Sequence, residues 1–158
     1  MRTEEFTFKD EENAEIFCSK WSPDSSVKLK GAVQVSHGMA EMSSRYERLA
    51  SALTSAGYAV YANDHRGHGR TALSLDNIGY PGDKDGFTWM VRDMRKLSGI
   101  IKAENPGVRL FLLGHSMGSF LSQRYAQLYG DELDGLILSG TNGKQGLCKL
   151  PPAAGLPW

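Results

Sequence analysis

The chain has 158 residues, the size of one ordinary domain or part of one, enough to bury roughly two thirds of the surface of its unfolded form. Eighteen Lys and Arg balance eighteen Asp and Glu. With no net field to attract a polyanion, the composition argues against nucleic acid and strongly acidic membranes and favours small or neutral partners.

The cysteines, Cys18 and Cys148, show neither metal-ligand spacing nor a disulfide framework, which suits a reducing compartment. The opening "MRTEEFTFKDEENAEIF" is acidic and alternating where a signal peptide needs a basic start and an apolar stretch. No apolar run approaches the ~20 residues of a membrane span. A soluble, cytoplasmic chain is expected.

In chain order, residues 4–9 and 13–19 alternate apolar and polar positions across a charged turn, predicting an antiparallel hairpin at a sheet edge. "GAVQVSHG" reads as a buried strand that stops at Gly38. Ser44 and Glu47 have capping-box spacing, and Tyr46, Leu49, Ala50 and Leu53 share one helical face until Gly57. "YAVYAND" is a second buried strand, followed by turns from His65 to Gly86. Phe87, Met90, Val91, Met94, Leu97 and Ile101 then mark a long amphipathic helix that ends before Asn105-Pro106-Gly107. "VRLFLLG" is apolar enough to be buried on both faces of a parallel sheet. Residues 117–129 make another helix with Leu121, Tyr125 and Leu128 inward, and "LDGLILSG" is one more strand. Strands alternating with helices predict an α/β sheet with right-handed crossovers. "TNGKQGLCKLPPAAGLPW" lacks periodicity and reads as the opening of an insertion that the chain does not complete.

Chemistry concentrates at Gly114-His115-Ser116-Met117-Gly118, the pattern of a nucleophile elbow, in which a serine sits on a sharp turn between strand and helix. The glycines leave room for that turn, and the helix N-terminus offers amide donors to developing negative charge. "SHGMAE", residues 36–41, leaves the end of the first long strand of the parallel sheet. Such a loop can present a backbone N–H, that of Met39, to pair with the N–H of Met117 as an oxyanion hole. His37 reads as a turn residue shaping this loop rather than a proton carrier. Gly67-x-Gly69-x-x-Ala72 imitates a dinucleotide fingerprint, but a run of turns follows where a helix must open, so nucleotide binding is rejected.

"HGMAEMSSRYERLA", "NDHRGHGRTA", "FTWMVRDMRKL" and "LFLLGHSMGS", in this order and spacing, resemble the α/β-hydrolase superfamily, in particular its monoacylglycerol lipase and lysophospholipase branch. The resemblance covers about residues 5–142. It implies the α/β-hydrolase fold: a mostly parallel sheet with helices on both faces and an N-terminal hairpin, here ending before the final strands. Residues 1–142 would form the N-terminal part of that domain and 143–158 the start of a cap or lid. The implied activity is hydrolysis of carboxylic esters of acyl lipids without a cofactor or metal. Ser116 would be the nucleophile and the amides of Met39 and Met117 the oxyanion hole. His65 and His68 would belong to a structural turn. The implied partner is a small acyl ester, with transient membrane-surface contact through the lid. Met42 stands where relatives often carry histidine.

A serine hydroxyl needs a histidine base and an acid to orient it, and in this fold both follow the serine. No histidine follows Ser116, and His37, His65, His68 and His115 all precede it. Asp131, Glu132 and Asp134 precede the last strand and belong at the sheet edge opposite the elbow. The chain is therefore expected to be a portion of a hydrolase without its triad acid and base, poorly stable because residues 136–139 leave an apolar edge. Two alternatives stay open: another branch of the fold, carboxylesterase or serine aminopeptidase-like, and a non-catalytic truncated product.

Overall fold

The structure, a computed structural model, describes residues 1–143. The expected lid opening at 143–158, apart from Gly143, and Cys148 lie outside the described residues. The chain runs through β1 (Arg2–Lys9), β2 (Glu15–Ser22), β3 (Gly31–Ser36), α1 (Glu47–Ser55) and β4 (Tyr58–Asn63), then α2 (Gly86–Glu104), β5 (Leu110–His115), α3 (Met117–Tyr129) and β6 (Gly135–Ser139). The sheet order is β1-β2-β4-β3-β5-β6, with β1, β2 and β4 antiparallel in sequence and β4, β3, β5 and β6 parallel.

Helices cover both faces because the central strands are apolar on both. Leu97 and Ile101 of α2 pack with Ile16, Ala32, Ala59 and Leu110. Met90, Val91 and Met94 join Leu121 and Tyr125 of α3 over Leu112. On the opposite face Ala50 of α1 covers Trp21, Val33, Val35, Val60 and Ala62. A buried polar linkage crosses the first face: the Gln34 amide donates to the Met94 carbonyl at 2.8 Å and accepts from Ser98 Oγ at 2.6 Å. With the oxygen and the nitrogen of its amide both bonded, a fully buried glutamine is tolerated inside the sheet.

Three expectations need correction. The Ser44–Glu47 capping box does not form: a 3-10 turn at Ser43–Tyr46 leads into α1, and neither start carries a side-chain cap. A carboxylate from the end of β4 acts instead, Oδ1 of Asp64 accepting the Ser43 N–H at 2.6 Å. Phe87 is 43% exposed because α2 meets the sheet only from Met90 onward. Leu128 is 44% exposed, since the inward stripe of α3 runs through Leu121 and Tyr125 to Tyr129, which meets Tyr125 edge-on with ring centres 5.5 Å apart. Among the described residues β6 is the last strand in the sheet order, and its Ile137 is 50% exposed.

Parallel register determines where the site lies. Ser36 pairs with Gly114, Val35 with Ala62, and Gly114 with Leu138. The chain therefore leaves β3, β4 and β5 at one edge of the sheet, the carboxyl edge where open α/β sheets bind ligands.

Candidate active site

Ser116 sits between β5 and α3 with φ 50° and ψ −118°, a region that costs a non-glycine residue on the order of 1–3 kcal/mol and persists only where its surroundings enforce it. Here the Ser116 N–H donates to the Ser139 carbonyl at 2.9 Å, extending the β5–β6 ladder. The Ser116 carbonyl accepts the Ser119 hydroxyl at 2.6 Å. The two elbow glycines are required by space. A Cβ on Gly114 would stand 2.4 Å from the Gly118 carbonyl oxygen, and one on Gly118 only 2.0 Å from the Ser36 carbonyl oxygen. α3 thus starts directly against the end of β3, which is how the elbow and the Ser36–Glu41 loop are brought together.

That loop touches the elbow at Gly38, where a Cβ would lie 3.3 Å from Cβ of Ser116. Met39 follows on an exposed turn, and Ala40 has φ 57°. Met117 is the first residue of α3, a position whose N–H has no partner within the helix. The loop is held from inside by His37, which is fully buried. Its Nε2 accepts the backbone N–H of His65 at 2.9 Å, so the proton of the neutral ring is on Nδ1, which donates to the Gly38 carbonyl at 2.7 Å. Burial holds the His37 pKa below its ordinary value.

The other histidines are also engaged. His65 has Nε2 2.9 Å from Ser36 Oγ and Nδ1 3.3 Å from the Asn63 amide nitrogen, and burial keeps its pKa well below the usual range. His68 Nδ1 donates to the Arg66 carbonyl at 3.0 Å. His115 turns to β6, 3.2 Å from Ser139 Oγ, and lines a groove of about 350 Å³ with Glu41, Tyr46, Leu49 and Leu113. The acids after Ser116 are at the far edge of the sheet, as their order predicts. Asp134 accepts the N–H of Leu110, the first residue of β5, at 2.8 Å. Glu132 pairs with Arg95 at 2.9 Å. A five-residue span of strand, roughly 17 Å, separates Leu110 from the elbow end of β5.

The turn that imitated a dinucleotide fingerprint is a 3-10 turn, Gly69–Ala72. Gly69 has φ 49°, and a Cβ there would lie 2.1 Å from Asp64 Oδ2. That carboxylate accepts the Arg70 N–H at 2.8 Å, so Asp64 ties this turn to the loop before α1.

Two groups that matter here carried no signal in the sequence reading. Glu41 accepts the Gly38 N–H at 2.9 Å and the Tyr46 hydroxyl at 2.8 Å. Asking where the Gly38 N–H finds its partner would have pointed to this carboxylate three residues on. Behind the site, Arg66 Nε donates to Asp93 at 2.9 Å, and its other nitrogens donate to Glu12 and Asp10. Burial pushes the Asp93 carboxyl up to about 7 against the pull of Arg66, and Asp10 adds to the rise. Positions so far apart in the chain share no local pattern.

Known proteins resemble this chain in sequence and fold. The family described as serine aminopeptidase, S33, matches residues 27–156. A monoacylglycerol lipase of Mycolicibacterium smegmatis is 35% identical over 136 residues, 86% of this chain and 46% of that protein. The human monoglyceride lipase is 34% identical over 123 residues, 78% of this chain and 38% of that protein. A thermostable carboxyl esterase from Bacillus coagulans, solved with glycerol, superposes with a TM-score of 0.82 at 38% identity, covering 90% of this chain and 46% of its own. A monoglyceride lipase from Saccharomyces cerevisiae, solved with a substrate analog, gives 0.73 at 27% identity, with 89% and 44% covered. The chain thus spans less than half the length of these relatives. A mostly parallel sheet with a strained serine at the β5–α3 turn and a glycine loop packed on it, together with a family match over residues 27–156, places the chain in the serine aminopeptidase, S33, family of α/β-hydrolases.

Proposed function

We propose that this chain carries the nucleophile half of a serine hydrolase that cleaves carboxylic esters of acyl lipids, of the monoacylglycerol lipase or lysophospholipase type. The observation that carries this reading is the strained Ser116 at the start of α3, with Gly38 packed on its Cβ. Ser116 Oγ attacks the ester carbonyl, and the N–H groups of Met39 and Met117 receive the negative charge on its oxygen. The acyl group passes to Ser116 and the alcohol leaves with a proton. Water then releases the fatty acid. Both steps require a general base, and the histidines of residues 1–158 are bound elsewhere: His37 and His65 in buried hydrogen bonds, His68 on Arg66 and His115 on Ser139. The proposed reaction therefore takes its general base from none of these four rings as they are held here. Membrane-surface contact through a lid belongs to the same reading.

The test is fluorophosphonate labelling of the protein expressed from its whole reading frame, with the modified peptide located by mass spectrometry. Modification at Ser116, lost in Ser116→Ala together with monoacylglycerol hydrolysis, is the expected result. Folded protein left unmodified at Ser116 would refute it. A second reading, a carboxylesterase with no lipid preference, is favoured by the 38% identity and TM-score of 0.82 to the Bacillus coagulans esterase. Short-chain esters turned over faster than monoacylglycerols would select it.

A further inference from the structure

Gly38 is the residue by which its loop approaches Ser116, and glycine lets its flanking peptides rotate more freely than any other residue. Both of those peptides are held. The N–H of Gly38 donates to Oε2 of Glu41 at 2.9 Å. Its carbonyl accepts Nδ1–H of His37 at 2.7 Å and the backbone N–H of Glu41 at 3.3 Å. A trans peptide points its N–H opposite to its carbonyl. Capturing the Gly38 carbonyl on the His37 side therefore turns the N–H of Met39, which shares that peptide plane, the other way. A Cβ on Gly38 would meet Oε2 of Glu41 at 3.1 Å and Cβ of Ser116 at 3.3 Å, so carboxylate and nucleophile flank the same backbone atom.

Glu41 is itself restrained. The Tyr46 hydroxyl donates to the same Oε2 at 2.8 Å, and Arg45 stands 3.8 Å from Oε1. Burial alone would raise the pKa of its carboxyl, but the bonds from Gly38 and Tyr46, with Arg45 beside them, hold it below the usual range. The anion is the form that accepts both bonds most strongly.

We propose that Glu41 is a positioning residue, its carboxylate holding Gly38 so that the Met39 amide stays presented to the oxyanion formed at Ser116; this rests on the reading of Ser116 as nucleophile. The experiment compares parent, Glu41→Ala, Glu41→Gln and Tyr46→Phe, each expressed from the whole reading frame. It measures the rate of fluorophosphonate modification of Ser116, and kcat and KM on a monoacylglycerol per titrated site. A lost oxyanion donor costs about 10²–10³ in rate, so one left in place but loosely held is expected to cost about ten- to a hundredfold. In Glu41→Ala that loss should fall on kcat and on the labelling rate with KM unchanged, and faster amide exchange over residues 38–41 should accompany it. Glu41→Gln, which keeps a carbonyl acceptor, should recover most of the rate, and Tyr46→Phe should lose only a few-fold. Counting titrated sites removes unfolded molecules from the comparison. A parent that never labels at Ser116 overturns the nucleophile reading and this proposal with it. A labelled parent with Glu41→Ala reacting at the same rate overturns the positioning role alone, as does a rise in KM at constant kcat.

Discussion

Replacing Gly118 by alanine tests the packing that brings the elbow to the glycine loop. A Cβ at this position would lie 2.0 Å from the Ser36 carbonyl oxygen, 2.5 Å from its carbon and 2.6 Å from the His37 carbonyl oxygen, all backbone atoms that no rotamer change can move aside. To reach ordinary contact, the first turn of α3 must retreat from the end of β3 by on the order of 1 Å, at the upper end of the ~1–3 kcal/mol that overpacking costs. The same displacement draws Ser116 away from Gly38, and a misplacement of ~1 Å can cost about 10² in rate. Gly99→Ala is the matched control. Gly99 lies on the exposed side of α2 with nothing within 4 Å of its built Cβ, so alanine there should add about 0.5–1 kcal/mol through helix propensity. Urea unfolding of parent and both variants measures the two effects, and fluorophosphonate labelling measures the second consequence at Gly118. If Gly118→Ala unfolds at the parent's urea midpoint, the close approach of α3 to β3 does not constrain the elbow and the reasoning fails.

The Asp93 carboxyl, raised to about 7 by burial and by Asp10 against the pull of Arg66, binds its proton more tightly folded than unfolded. Its contribution to stability is complete below the unfolded range near ~4 and is lost as pH rises through about 7. His37 and His65, held neutral by burial, act in the opposite sense as pH falls through the ordinary histidine range. The measure is therefore the difference: between pH 5.5 and 8 the melting temperature of the parent should fall relative to that of Asp93→Asn, and parallel curves would count against the assignment. Burial, with Asp64 and Asp93 nearby, pushes the Cys18 thiol far above its usual value, so iodoacetamide should modify it only in denaturant; prompt alkylation of native protein would show the β2 core to be open. Ile137 is half exposed on β6, the last strand in the sheet order among the described residues, and Ile137→Lys should reduce any self-association that light scattering detects for residues 1–158, because an edge lysine opposes strand addition. Unchanged association would place the sticky surface elsewhere.

Much of this protein is written in short-range pattern. Period-two and period-3.6 hydrophobicity marks the strands and helices because each depends on neighbours within a turn or a strand. The elbow is legible because Gly114 answers to the turn itself, although Gly118 answers to the end of β3, and the acids after Ser116 are placed at the far edge by chain order alone. Other features depend on what arrives from elsewhere. The Ser44–Glu47 capping box gives way to a bond from elsewhere, the Asp64 carboxylate just after β4 accepting the Ser43 N–H. Phe87 and Leu128 fit their helical stripes yet remain exposed, since the sheet and the neighbouring helix decide how far each stripe is covered. Arg66 joins Asp10, Glu12 and Asp93 across three segments, and His37 supports Gly38 only because the N–H of His65 fixes its tautomer. The sequence alone determined the elements, their alternation and the serine turn, which are local. Only tertiary structure decided which polar groups hold the glycine loop against that serine, because a buried hydrogen bond needs a partner within about 3 Å whatever its distance along the chain.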